Sequence, residues 1–257
     1  MTNASPVAWR NLLRAGALLV AVFVVCLAPA RADIFSSLEG PPTKTDIATA
    51  RAAGIVIFEF DLDKEGAAEA VAAVKKAGGR ITAYHVGGGG GRAWGSVKSG
   101  EWLRKYDSPR DFLALTEDVK RLVRLGADYI HFDNTHRFSG VRLESIVDAI
   151  RAGGAGFVAK NNAAKWNLVM KRRPDLKPVY AVIEDAMFDA EETQHAANLA
   201  IRGVPVYIIG FKLPIEATKY PVTDAYALEY ARNNPWARVL VMEDERSYDS
   251  RTGAYVR

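Results

Sequence analysis

The chain has 257 residues, with 34 basic and 30 acidic side chains, a formal charge of +4 and a single cysteine. This length suffices for one sizeable domain with a buried core. A lone cysteine excludes an intramolecular disulfide framework.

The first 32 residues have the pattern of a secretory signal peptide. Arg10 and Arg14 precede an apolar run over residues 15–27, and an Ala-Arg-Ala triplet then fits a cleavage site. The run is too short to anchor the chain in a bilayer. A buried helix of the folded domain is the alternative interpretation. We predict a signal peptide at residues 1–32 and a mature domain at 33–257, secreted or periplasmic.

Cleavage changes the charge of the protein. It removes three arginines, no acidic residue and the only cysteine, Cys26, leaving 31 basic against 30 acidic side chains. A near-neutral domain gives no evidence for a nucleic-acid partner. Without cysteine it contains neither a thiolate metal site nor a thiol nucleophile.

In the rest of the chain, short runs rich in β-branched and aromatic residues alternate with amphipathic stretches. The predicted strands cover residues 34–35, 55–60, 81–86, 129–133, 157–160, 180–184, 204–211 and 239–243. The predicted helices cover residues 67–76, 111–125, 143–151, 161–171, 190–202 and 223–232. This alternation indicates a parallel sheet, and eight strands fit a single-domain (β/α)8 TIM barrel. A doubly wound open sheet is the alternative.

Both folds carry their chemistry at the carboxyl ends of the strands. Asp133 ends the fourth predicted strand and Glu184 ends the sixth, each following an apolar run. Side chains alternate along a strand, so His131 shares a face with Asp133. Two carboxylates facing one cleft are what the hydrolysis of a glycosidic bond requires. The alternative is that Asp133 caps a turn and that Glu184 begins a solvated loop.

Four other polar residues at strand ends are candidate substrate-binding groups. Asp61 can hold a sugar hydroxyl or ammonium, or form a turn. Tyr84 can contact a sugar, or fill the barrel core. Lys160 can lower the pKa of a neighbouring carboxylate through its positive charge, or be a solvated lysine. Asn161 can bind substrate, or cap the next helix.

The glycine run at 87–91 follows a strand, but it lacks the Lys-Ser/Thr of a nucleotide-binding P-loop. We interpret it as a rim loop that carries Trp94, a candidate for stacking on sugars, although simple loop packing is the alternative. The four histidines show no zinc-binding spacing, and no Gly-x-Ser-x-Gly elbow is present. We therefore predict neither a metal nor a cofactor.

Six short motifs, taken in order, resemble glycoside hydrolase family 114, the endo-α-1,4-polygalactosaminidases and their relatives. The motifs are Tyr84-His85-Val86-Gly87, Gly100-Glu101-Trp102-Leu103, Phe132-Asp133-Asn134, Ala159-Lys160-Asn161-Asn162-Ala163, Ile183-Glu184-Asp185 and Pro205-Val206-Tyr207. The chain resembles a divergent member. His136 stands near the place of a second aspartate, and Ala186 and Met187 follow the glutamate where the family often has a cysteine.

The resemblance implies a (β/α)8 barrel that acts on galactosamine-containing polysaccharide without a cofactor. It implies Asp133 as nucleophile and Glu184 as general acid/base, and it places Asn134 beside the substrate. We expect an exported, endo-acting glycosidase with a polysaccharide as its partner and no stable membrane anchor. One alternative is a non-catalytic carbohydrate-binding barrel of a cell-envelope polysaccharide system. Another is a metal-assisted barrel hydrolase.

Overall fold

The computed structural model describes residues 33–37, 40–85, 109–133, 139–184, 186–212, 221–243 and 254–256. All of them belong to one compact unit, Asp33–Arg257.

Within these ranges, nine strands form one sheet. They are β1 (Ile34–Ser37), β2 (Ile57–Phe60), β3 (Arg80–His85), β4 (Tyr129–Phe132), β5 (Gly156–Lys160), β6 (Tyr180–Glu184), β7 (Val206–Phe211), β8 (Ala237–Met242) and β9 (Ala254–Val256). Strands β1 to β8 pair in chain order, each parallel to its neighbours, and β9 pairs antiparallel to β8.

Seven α-helices occur within the described ranges. They are α1 (Lys44–Ala52), α2 (Ala67–Lys76), α3 (Pro109–Arg124), α4 (Gly140–Ala152), α5 (Ala163–Arg172), α6 (Ala190–Ile201) and α7 (Asp224–Asn233). Polar side chains fix several of their starts. Thr43 accepts from the backbone N–H of Asp46 in a capping box, and Asp189 caps α6.

The alternation of side chains along the strands separates two apolar cores. Phe58, Phe132 and Trp166 belong to the larger core, between the sheet and the helices. Ile34 of β1 belongs to a second core together with Leu240 of β8. Because the first and eighth strands contribute to the same interior, the sheet curls round on itself. The (β/α)8 barrel expected from the sequence is confirmed.

The elements differ from the sequence prediction in detail. Strand β9 and helix α1 were not predicted, and β2 and β7 each begin two residues later than expected. Helix α1 has a short and mixed pattern, with only Ile47 and Ala50 buried. Among the residues that the structure describes, no helix combines the length and apolar character needed to span a bilayer.

Candidate active site

The two predicted carboxylates lie at the same end of the barrel. Glu184 is the last residue of β6, and Asp133 directly follows β4, whose last residue is Phe132. Both are partly exposed, while the three strand residues directly before each of them are buried. The chain therefore brings each carboxylate from the dry interior to the edge of solvent. We call Asp133 and Glu184 the carboxylate pair.

Glu184 is held by two neighbouring residues from the end of β5. Lys160 Nζ donates to Glu184 Oε1, and Asn161 Nδ2 donates to Oε2 over 3.0 Å. The backbone N–H of Glu184 donates in return to Asn161 Oδ1 over 2.9 Å. Both carboxylate oxygens thus receive a donor, and the side chain has a defined orientation.

The backbone after β5 explains how Asn161 reaches Glu184. Asn161 and Asn162 both have positive φ, 46° and 50°, a conformation that asparagine tolerates better than most residues. The cap of α5 is Asn162, whose Oδ1 accepts from the backbone N–H of Lys165 over 3.1 Å. The capping role considered for Asn161 therefore belongs to Asn162, which leaves the Asn161 amide for the carboxylate.

Lys160 is the buried cation of this site, with 3% of its surface exposed. Burial disfavours an ammonium and by itself lowers the pKa of Lys160. The negative charges of Glu184 and Asp133 outweigh that effect, so the pKa lies above its ordinary value. Lys160 stays charged at neutral pH, and it interacts electrostatically with both members of the carboxylate pair.

Asp133 is oriented from the neighbouring strand. Tyr84, near the end of β3, donates its hydroxyl to Asp133 Oδ2 over 2.7 Å. The ring of Tyr84 is buried, and it packs against His131 with a centroid distance of 4.7 Å. Tyr84 is thus a barrel-core tyrosine whose hydroxyl reaches the site.

The remaining candidates are less closely tied to the carboxylate pair. Asp61 follows β2, and its Oδ1 accepts from the backbone N–H of Asp63 over 2.9 Å, as in a turn. Its predicted contact with substrate stays a prediction. Trp94 and Asn134 lie outside the described residues.

A buried polar layer lies below the carboxylate pair and was not predicted as part of the site. Glu59 of β2, His131 of β4 and Tyr180 of β6 are fully or almost fully buried, and His131 and Tyr180 both hydrogen-bond to Glu59. The alternation of side chains along these strands was the available signal, because it turns all three toward the barrel interior.

Two open clefts are lined by described residues, and neither is lined by Asp133 or Glu184. One, of about 660 Å³, lies beside the turn that follows β6. There the rings of Phe188 and Tyr226 stack at 5.3 Å, and Tyr226 donates to the Met187 carbonyl over 2.6 Å. The other, of about 640 Å³, lies between α5 and α6. No group of three potential metal ligands occurs in the part of the chain that the structure describes.

No protein-family model and no curated protein sequence matches the chain. Among solved structures, it is similar to the glycoside hydrolase domain of PelA from Pseudomonas aeruginosa. That alignment has 13% identity and a TM-score of 0.59, and it covers 88% of this chain and 99% of that one. A single-residue variant of the same domain aligns with 15% identity and a TM-score of 0.58 over the same shares. At this level of identity, the likeness establishes a shared barrel fold.

Proposed function

We propose that this protein is an exported glycoside hydrolase that cleaves an amino-sugar-containing polysaccharide with the carboxylate pair. One observation carries the proposal. Asp133 and Glu184 stand at the carboxyl ends of two inner strands and interact with the same buried ammonium, Lys160. A buried ammonium that interacts with two partly exposed carboxylates is an arrangement typical of sites for acid–base chemistry.

Glycosidic cleavage needs one carboxyl group that donates a proton to the leaving oxygen. A second carboxylate attacks the anomeric carbon or activates water. The surroundings of Asp133 and Glu184 differ, and different surroundings are how two carboxylates acquire two roles. Asp133 accepts from a neutral phenol, whereas Glu184 accepts from an ammonium and an amide. By the resemblance, Asp133 is the nucleophile and Glu184 the general acid/base.

Two further considerations support the proposal. The barrel shares its fold with a domain described as a glycoside hydrolase, although their sequences have diverged widely. The predicted signal peptide would bring the chain to the compartment where extracellular polysaccharide is met. The amino-sugar class rests on the resemblance to family 114 alone.

A second candidate is a non-catalytic barrel that binds carbohydrate. The contacts of Glu184 favour it, because a general acid needs a proton on one carboxyl oxygen and both oxygens of Glu184 already accept from donors. Turnover would require Glu184 to take up a proton on a lone pair that these donors leave free, or to release one of the donors. A binding protein would keep these contacts throughout.

The test is product release from polymer. The mature protein is incubated with galactosaminogalactan and a panel of other polysaccharides, and soluble products are identified by mass spectrometry. We expect oligosaccharides from the wild type and none from Asp133→Asn or Glu184→Gln. Asp189→Asn is the matched control, because it makes the same chemical change near the rim and asparagine still caps α6. Polymer binding without products from the wild type would establish the second candidate.

A further inference from the structure

Glu59 is a charged side chain in the middle of the barrel. It belongs to β2, faces the interior and has none of its surface exposed. Barrel interiors are mostly filled by branched apolar side chains, and burying a carboxylate carries a large desolvation cost. Such a group persists where its partners compensate the charge, so its partners indicate its role.

Three donors surround Glu59. Ser36 Oγ donates to Oε1 over 2.9 Å, and His131 Nδ1 and the Tyr180 hydroxyl lie 2.8 and 3.2 Å from Oε2. Burial by itself raises the pKa of Glu59, but His131 and Ser36 outweigh it and the pKa lies below its ordinary value. Glu59 is therefore a carboxylate, which only accepts, so Nδ1 of His131 carries a proton and donates it.

The bond to Glu59 is what orients the His131 ring. Nε2, the other ring nitrogen, is buried and has no hydrogen-bond partner among the residues that the structure describes. The ring packs against Tyr84, tilted by 58°, and Tyr84 donates to Asp133. Rotation of the imidazole would therefore move the group that positions one member of the carboxylate pair.

Glu59 also acts on the other member through charge. Its carboxylate attracts the Lys160 ammonium, which donates to Glu184. The interior has a low effective dielectric constant, so this attraction is stronger than it would be in water. Two of the three side-chain donors described above, Tyr84 and Lys160, thus depend on one group in the layer below.

We propose that Glu59 is a positioning residue of the carboxylate pair, holding Tyr84 through His131 and Lys160 through its charge. The proposal rests on the proposed function for its kinetic consequences. Its structural content, the link between Glu59 and Lys160, is independent of any substrate.

The kinetic test compares two changes at the same carboxylate. Glu59→Gln keeps the shape and removes the charge, and we expect kcat to fall about 10- to 100-fold with KM nearly unchanged and a displaced pH–rate profile. Ser36→Ala removes one donor from the opposite oxygen but leaves the bond to His131 and the attraction to Lys160, so kcat should fall clearly less than in Glu59→Gln. His131→Asn, which can still donate from near the Nδ1 position, should recover part of the activity that His131→Phe loses.

A second readout needs no activity. Titration of Lys160 by carbon-13 NMR should show a lower pKa in Glu59→Gln than in wild type or Ser36→Ala, because a negative charge that favours the ammonium is removed. If the wild type cleaves no polymer but this shift occurs, the proposed function fails and the link between Glu59 and Lys160 stands. Unchanged Lys160 titration together with wild-type kinetics in Glu59→Gln would overturn the proposal. So would loss of the folded barrel in both Glu59→Gln and His131→Asn, because Glu59 would then be a structural group.

Discussion

Replacing Lys160 by methionine removes the ammonium of the site and keeps a side chain of similar length. The change leaves Glu184 without its charged donor and removes a cation that also interacts with Asp133 and Glu59. We expect the variant to fold with reduced stability, because the carboxylates lose their compensating charge.

The exposure of the two partners sets the size of the effect. Removing one partner of a buried ion pair costs about 3–5 kcal/mol. The Lys160 side chain is 4% exposed, but that of Glu184 is 23% exposed, so water can partly solvate the abandoned carboxylate. We therefore expect the lower end, about 3 kcal/mol. For a domain of this size, that loss lowers the Tm by roughly 6–12 °C.

The pH dependence follows from the direction of the Lys160 shift. Its pKa is raised in the folded state, so its contribution is complete below the unfolded-state value of about 10.4. It is lost as the pH rises through the folded-state pKa. The difference in unfolding free energy between wild type and Lys160→Met should be constant from neutral pH to about pH 10 and narrow above it.

Urea unfolding followed by circular dichroism measures these differences. Lys75→Met is the matched control, because Lys75 pairs with Asp128 at 2.5 Å while its side chain is 38% exposed, and its loss should cost under about 1 kcal/mol. A double-mutant cycle of Lys160→Met with Glu184→Gln should give a coupling of about 2 kcal/mol. A Lys160→Met variant as stable as wild type at pH 7, with no coupling to Glu184, would refute the reasoning.

Three further predictions concern the scaffold. Thr43→Ala removes the capping box of α1 and should lower the unfolding free energy by about 1 kcal/mol in urea titrations; no change would mean that the cap is dispensable. Gly126 and Gly154 both have positive φ, but a Cβ would meet Val71 at 2.6 Å only at Gly126, so Gly126→Ala should cost about 1–2 kcal/mol more than Gly154→Ala. Equal losses would contradict the contact. Arg173 holds the pKa of Asp175 at about 2, and Arg173→Gln should raise it toward its ordinary value in an NMR titration; an unchanged titration would exclude the bond as its cause.

The fold followed from the sequence because its main signals are local. Apolar runs of strand length alternate with amphipathic stretches, and that alternation predicts a parallel sheet; the count of eight strands then fits a barrel, with a doubly wound sheet as the alternative. Strand β9 was not predicted because three residues are too few for a recognisable pattern. Its antiparallel pairing with β8 is a tertiary contact that the local sequence does not indicate. Strands β2 and β7 begin two residues later than predicted, since the apolar runs Ile55-Val56 and Val204-Pro205 extend before the first paired residue of each strand.

The residues of the candidate site could be predicted from the sequence, but their contacts could not. The rule that strand ends carry chemistry picked out Asp133, Tyr84, Lys160 and Glu184, and the structure brings these side chains into contact or electrostatic range. Which contact each makes was not predictable, because a hydrogen bond between strands depends on register and on side-chain rotamers. Their roles in catalysis or substrate binding stay predictions.

The hydrogen bonds of the buried polar layer could not be predicted from the sequence. Glu59 and His131 are 72 residues apart in the chain, and their 2.8 Å contact crosses the barrel interior. The pattern of alternation could place each of them inside the barrel, but it does not show that β2 and β4 lie on either side of β3, which is what brings the two side chains within reach. The one available signal was Glu59 itself, a charged residue within an otherwise apolar strand, which indicates a buried polar contact.

The most direct test of the carboxylate pair is azide rescue. Initial rates of chain cleavage are measured as soluble fragments released from the polysaccharide, for wild type, Asp133→Ala and Glu184→Ala, with and without sodium azide, because a cut that forms a glycosyl azide leaves no new reducing end. We predict that both variants lose nearly all activity and that azide restores turnover in one of them, yielding a glycosyl azide detectable by mass spectrometry. Wild-type rates in either variant without azide would show that the carboxylate pair does not perform the chemistry.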